Sequence, residues 1–118
     1  DQEEGFGDMK NAVREVQGSL VVTLQGEIDL DRAPAIRLLL LDCVGQGRDV
    51  LVDLAQVTYI DSSGIASLVE ALQNAGKAGT RLGLVAISKQ ALRVFELARL
   101  DKVFAIHPDI DAALTAAG

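Results

Sequence analysis

Aromatic residues are scarce in this chain: three Phe, one Tyr and no Trp among 118 residues. A core without large rings has to be filled by Leu, Val, Ile and Ala, and the 49% hydrophobic fraction supplies them. Cys43 is the lone cysteine, which excludes an intrachain disulfide and any Cys-rich metal site. Its place in an apolar helical pattern suits a small buried side chain better than a nucleophile. Histidine also occurs once, as His107, so chemistry that needs an imidazole base has a single candidate. Positive charge is in deficit, since 11 Lys and Arg against 17 Asp and Glu give a net charge of −6. That balance argues against direct binding to nucleic acid or to an anionic membrane surface, both of which reward a basic face, and leaves a basic protein partner open. No apolar run reaches 18 residues, and the opening D-Q-E-E-G-F-G-D is acidic where a signal peptide is basic. No membrane insertion is expected, and the protein is expected to be cytoplasmic.

What the chain does have is one dense stretch, V-L-V-D-L-A-Q-V-T-Y-I-D-S-S-G-I-A-S-L-V-E-A-L, from Val50 to Leu72. Val50, Leu51, Val52 and Leu54, followed by Val57, Tyr59 and Ile60, are residues that fill a strand buried on both faces. From Ile65 the period changes. Ile65, Leu68, Val69 and Leu72 fall at i, i+3, i+4 and i+7, one face of a helix. Asp61, Ser62, Ser63 and Gly64 occupy the junction, where the first backbone N–H groups of the helix have no internal partner and the helix dipole favours an anion. One reading of the junction is capping, the commonest use of Ser and Asp at a helix start. The other rests on redundancy: Asp61, Ser62 and Ser63 are each competent to cap and a helix needs one, which leaves a hydroxyl free.

The stretch D-L-A-Q-V-T-Y-I-D-S-S-G-I-A-S-L resembles the core motif of STAS domains, in particular the bacterial anti-sigma factor antagonists of sporulation and the general stress response. The likeness extends to G-E-I-D at Gly26–Asp29 and to V-A-I-S and V-F-E-L-A-R-L-D-K-V-F within Val85–Phe104. The resemblance implies an α/β fold and phosphorylation by an anti-sigma factor that is itself a serine-protein kinase, on the serine directly after the aspartate. Here that residue is Ser62, with Ser63 as second choice. It further implies that the unphosphorylated protein binds the kinase and so frees a sigma factor for transcription, and that a phosphatase reactivates the phosphorylated protein by removing the group.

The rest of the chain fits one domain, expected over residues 11–118 with 1–10 as a disordered tail. Asn11–Gln17 and Ser19–Gln25 read as a hairpin turning at Gly18. Gly26-Glu27-Ile28-Asp29 reads as the loop that ends it, with Glu27, Asp29 and Asp31 as solvated or helix-capping acids. A metal site there is not supported, because no histidine or organised second carboxylate set lies near. Arg32–Val44 is expected as a helix with Pro34 in its first turn and Ile36, Leu39, Leu40, Cys43 and Val44 on its apolar face. Leu38 and Leu41 fall off that face and are either edge-of-core positions or an exposed patch for a partner. Arg81–Ile87 reads as a strand, and Ser88 as the cap of a helix carrying Ala91, Val94, Phe95 and Ala98. Val103–Ile106 is expected as the last strand, and Asp109 opens a short helix over 110–116. Strand and helix alternate after the hairpin, so the expected fold is a mixed sheet of about five strands with about four helices.

Two glycine-rich signals carry nothing. Gly45-Gln46-Gly47 precedes a strand instead of opening a helix, and Gly76–Thr80 lacks the spacing of a phosphate loop. Serine-based hydrolysis fails as well. Neither serine has the leading glycine of a nucleophile elbow, and a free aspartate is too weak a base at neutral pH to activate a hydroxyl. The chain is therefore read as a binding protein without catalytic residues, metal or cofactor. Loops after the C-terminal ends of parallel strands gather at one end of such a sheet. This places the expected partner surface on Asp61, Ser62, Ser63 and Gly64, with Ser67, Glu70, Gln73 and Asn74 along the exposed side of the following helix, and the resemblance implies that the loop carrying Glu27, Asp29 and Asp31 lies at the same end and joins it. Two rival roles remain within the same resemblance: an accessory subunit of a lipid or anion transporter, and a scaffold subunit of a stress-sensing assembly.

Overall fold

Residues 11–117 are described by the computed structural model. The hairpin forms at its expected place, with β1 (Asn11–Val16) antiparallel to β2 (Ser19–Ile28). Gln17 and Gly18 join them, both at positive φ, the backbone twist that suits a two-residue hairpin turn. After it follow α1 (Ala33–Gly45), β3 (Val50–Ile60), α2 (Ser62–Ala78), β4 (Leu82–Val85), α3 (Lys89–Leu97), β5 (Ala105–His107) and α4 (Ile110–Ala117). The sheet runs β1-β2-β3-β4-β5, with β2 through β5 mutually parallel. The expected class, a mixed five-stranded sheet with four helices, is the observed one.

Because each parallel strand is added beside the last, right-handed crossovers put α1, α2 and α3 on the same face. That face holds the main core: Leu24, Ile28, Leu40, Leu54, Ile60, Leu68 and Phe95 are essentially inaccessible to solvent. A close aromatic pair sits here, Phe95 edge-on to Phe104 with ring centroids 5.4 Å apart. Among the described residues the opposite face is covered by α4, with Ala113 against Val21, Leu51 and Val85.

Several boundaries differ from expectation. Gly26, Glu27 and Ile28 are not a loop. They continue β2 and pair with Val57, Tyr59 and Ile60 across two register shifts. The irregularity is held by Arg32, whose Nη1 donates to the carbonyls of Gln25 and Glu27 at 2.5 and 2.6 Å. Tyr59 is 49% exposed and not part of the core, because β3 runs on past β4, whose pairing ends at Asp53. β4 is shorter than Arg81–Ile87, and Arg81 is exposed. β5 starts at Ala105, not at Val103. Val103 is exposed, and Phe104 turns into the core from the preceding bend. The third helix stops before Ala98, which is its exposed C-cap. Leu39, Val69 and Leu72 are half-buried edges of their helix faces, and so is Leu41. Leu38 is 63% exposed. The tail expected at 1–10 lies outside the described residues.

Candidate functional site

Ile28 ends β2 and Ile60 ends β3 in register with each other, so the chain leaves both strands at the same end of the sheet. The Asp61 N–H donates to the Ile28 carbonyl (3.1 Å), tying the two exits together. The loop over 29–32 and the start of α2 thus lie together at one end of the sheet, where the resemblance implied that the loop would be.

At the α2 junction the three potential caps divide the work. Asp61 is the N-cap, and its Oδ1 accepts from the N–H groups of Ser63 (3.0 Å) and Gly64 (3.1 Å). The Ser63 hydroxyl donates to the same Oδ1 at 2.5 Å. These donors, the Ser63 hydroxyl foremost and then the Gly64 amide, hold the Asp61 carboxyl below the ordinary carboxylate range. Ser62, the first residue of the helix, is exposed, and its hydroxyl makes no hydrogen bond among the described residues. The spare hydroxyl inferred from redundancy is therefore Ser62 and not Ser63.

Gly64 has a packing role in place of the surface role expected for it. It is buried, and a Cβ there would lie 2.7 Å from Ile28 Cγ2 and 2.8 Å from Ile60 Cγ1. The first turn of α2 can sit directly on the strand ends only because this residue has no side chain. Ser67 is likewise removed from the expected partner face. It is 5% exposed, and its hydroxyl donates to the carbonyls of Ser63 (3.1 Å) and Ala33 (3.3 Å), linking α2 to the start of α1. Glu70 does face outward, but its carboxylate is engaged by Arg37 of α1, Nε to Oε1 at 2.7 Å and Nη2 to Oε2 at 2.8 Å. Each partner of this fork shifts the other toward its charged form, Glu70 downward and Arg37 upward. Asn74 is half-buried and spends an amide proton on the Glu70 carbonyl. Gln73 is exposed.

The acids of the first loop also differ among themselves. The Asp29 carboxylate accepts from the N–H groups of Asp31 and Arg32 (3.1 and 3.2 Å), which organises the entry to α1. Glu27 and Asp31 are exposed. Three contributors escaped sequence reasoning. Arg32 and Arg37 act through contacts with no local signature, and no periodic pattern marks Leu30, which is 71% exposed beside these acids.

Among the described residues, none at this surface is placed to act as a strong base on Ser62. His107 ends β5 beside Val85, and Val85 pairs with Asp53 of β3. The end of β3 at Ile60, from which the chain runs into Ser62, lies roughly 20 Å farther along the strand at about 3.3 Å per residue. Asp61 is a weaker base than a free aspartate. Cys43 is buried, and desolvation raises its thiol to about 11, so it is not a nucleophile at neutral pH. Among the described residues no cluster of three or more His, Cys, Asp or Glu gathers to hold a metal, and no helix is long and apolar enough to cross a membrane.

Comparison with known proteins identifies the family. The STAS domain family model matches residues 10–113. The anti-sigma-B factor antagonist of Bacillus subtilis (strain 168) is 31% identical over 94 residues, covering 80% of this chain and 86% of that protein. The crystal structure of an anti-sigma factor antagonist from Mycobacterium paratuberculosis superposes with a TM-score of 0.82 at 34% identity, covering 90% of this chain and 91% of that one. The anti-sigma factor antagonist SpoIIAA in its unphosphorylated form shares the fold, with a TM-score of 0.77 at 18% identity over 91% of this chain and 95% of its own. The chain belongs to the STAS domain family, and its similarity within that family runs to anti-sigma factor antagonists.

Proposed function

We propose that this protein is a phosphorylation-switched anti-sigma factor antagonist. Unphosphorylated, it binds an anti-sigma factor that is also a serine-protein kinase, and so frees a sigma factor for transcription. Phosphorylated on Ser62, it loses that partner until a phosphatase removes the group. The observation that carries the reading is the division of labour at the head of α2: Asp61 caps, Ser63 braces Asp61, and Ser62 alone presents an unengaged, exposed hydroxyl. The Bacillus relative, named an anti-sigma-B factor antagonist, supports the functional class. The reading places the protein in the cytoplasm, over residues 11–118 as one domain. It gives the protein no catalytic step of its own, the kinase supplying both nucleotide and base.

The electrostatics suit a switch at the contact. A phosphate adds about −1.5 to −2 charge at pH 7. The nearest helix-end N–H groups, those of Ser63 and Gly64, are already taken by Asp61, so the phosphate stays in solvent on the outer surface. The domain therefore has no reason to rearrange. A partner that fitted a neutral hydroxyl meets a dianion beside Asp61, at a cost on the order of 2–5 kcal/mol.

The test is phosphoryl transfer. Incubated with the purified anti-sigma factor kinases of the source organism and Mg-ATP, the protein takes up one phosphate, which peptide mass mapping places on Ser62. Ser62→Ala takes up none. Phosphate on Ser63 or elsewhere overturns the assignment of the residue, and no uptake with any of the kinases overturns the switch.

A further inference from the structure

Leu30 and Leu38 are 71% and 63% exposed, and they line one groove between the head of α1 and the side of α2. Pro34 and Ala66 complete its apolar surface, Ser63 stands at its edge, and the Arg37–Glu70 fork closes its far wall. Singly exposed leucines are ordinary on protein surfaces. Two that converge on one groove beside an unengaged hydroxyl are the arrangement of an interface centre, where apolar anchors are surrounded by a polar rim. The groove is continuous with the Ser62 surface, since Ala66 and Glu70 line both.

Resting on the antagonist reading, we propose that this groove is where the kinase partner anchors. The partner inserts an apolar side chain between Leu30 and Leu38 and sets basic residues against the loop acids Glu27, Asp29 and Asp31. The charge distribution selects this occupant over a second copy of the chain. Of the cations close by, Arg32 directs its guanidinium inward to the carbonyls of Gln25 and Glu27, and Arg37 is held by Glu70. Another copy, with a net charge of −6, brings no excess of positive charge to meet the acidic rim, whereas a partner with a basic rim does.

The test uses the full chain and the purified anti-sigma factor kinases of the source organism without nucleotide, followed by surface plasmon resonance, with light scattering of the free protein alongside. Leu30→Asp and Leu38→Asp are each expected to weaken binding by about thirtyfold or more, the range of an interface hot spot. Leu97→Asp, a change at a leucine 79% exposed on α3, stays within about threefold. Circular dichroism confirms folding, and Leu38→Ala, with a smaller loss, covers the case of an Asp variant that does not fold. If Ser62→Asp loses the kinase while both groove variants bind like the parent, the groove proposal falls and the antagonist reading stands. If no kinase binds the parent protein, both fall. A dimer of the free protein that Leu38→Asp dissociates assigns the groove to a second copy and overturns the proposal.

Discussion

Two helices of this domain begin with a serine within hydrogen-bond reach of their first turn, and they use it in opposite ways. At the head of α3 the Ser88 hydroxyl is fully employed. It accepts from the Ala91 N–H (3.2 Å) and donates to the Val57 carbonyl (2.7 Å), fastening α3 to β3. At the head of α2 the capping is done by a carboxylate, a second serine reinforces that carboxylate, and Ser62 is left with nothing to hold. A serine at a helix start therefore says little alone. What decides its role is whether another group has taken the cap, and an Asp immediately before two serines is the arrangement that releases one of them.

The largest effect that this contrast predicts is on binding. Ser62→Asp introduces a charge where the partner expects a hydroxyl, and affinity for the anti-sigma factor kinase falls by roughly thirtyfold to several thousandfold, mostly through faster dissociation. Thermal stability hardly changes, because the new carboxylate points into solvent near a helix N-terminus, where it is weakly favoured, and Asp61 offsets that gain. Kinetics on the purified partner check the first part, and a melting temperature lowered by more than about 5 °C contradicts the second.

Next in size is the stability counterpart. Ser88→Ala removes a cap, typically about 1 kcal/mol, and leaves the Val57 carbonyl short of a donor. The melting temperature is expected to drop by about 4–8 °C, with phosphoryl uptake by the folded protein unchanged. Ser62→Ala, which removes no bond, leaves the melting temperature within about 1 °C and abolishes uptake. Calorimetry paired with phosphorylation on the two variants separates the roles, and equal melting shifts would collapse the distinction.

How far these roles were legible in the sequence depended on how local their causes are. The strand-to-helix junction could be read because both periods, the continuous apolar run and the i, i+3, i+4, i+7 stripe, are local. So could the redundancy of caps, although capping chemistry alone did not choose between Ser62 and Ser63. That choice turned on the Ser63–Asp61 bond. The extension of β2 through Gly26 and Glu27 was hidden, because a glycine at positive φ beside an acid looks like a turn. What keeps the strand going is Arg32 folding back onto two carbonyls. Ser67 was misplaced for a related reason. A polar residue among apolar ones reads as solvent-facing, but a hydroxyl is small enough to be buried when backbone carbonyls accept its proton, here those of Ser63 and Ala33. The fork from Arg37 to Glu70 spans 33 positions, beyond any window in which a sequence pattern operates.

The smallest predicted effect sharpens the comparison through pH. Asp61 titrates and Ser88 does not, so the two caps should respond differently to acid. The folded-state value of Asp61 lies below its ordinary 3.8, first because of the Ser63 hydroxyl and then the Gly64 amide. A carboxyl depressed on folding stabilises the folded state above its unfolded value, and that contribution is lost as pH falls through the lower, folded one. Asp61→Asn keeps an oxygen able to cap but lacks the charge. The difference in melting temperature between the parent protein and this variant should be small and steady at neutral pH and close as pH drops below about 4. The Glu70–Arg37 fork weakens over the same acid range in both proteins and cancels from the difference. For Ser88→Ala the corresponding gap should not depend on pH, since neither the hydroxyl nor its partners, the Ala91 N–H and the Val57 carbonyl, ionise in that range. A Ser88 gap that closed in parallel with the Asp61 gap would mean that acid loosens the whole sheet end, and the separate roles assigned to the two helix starts would not hold.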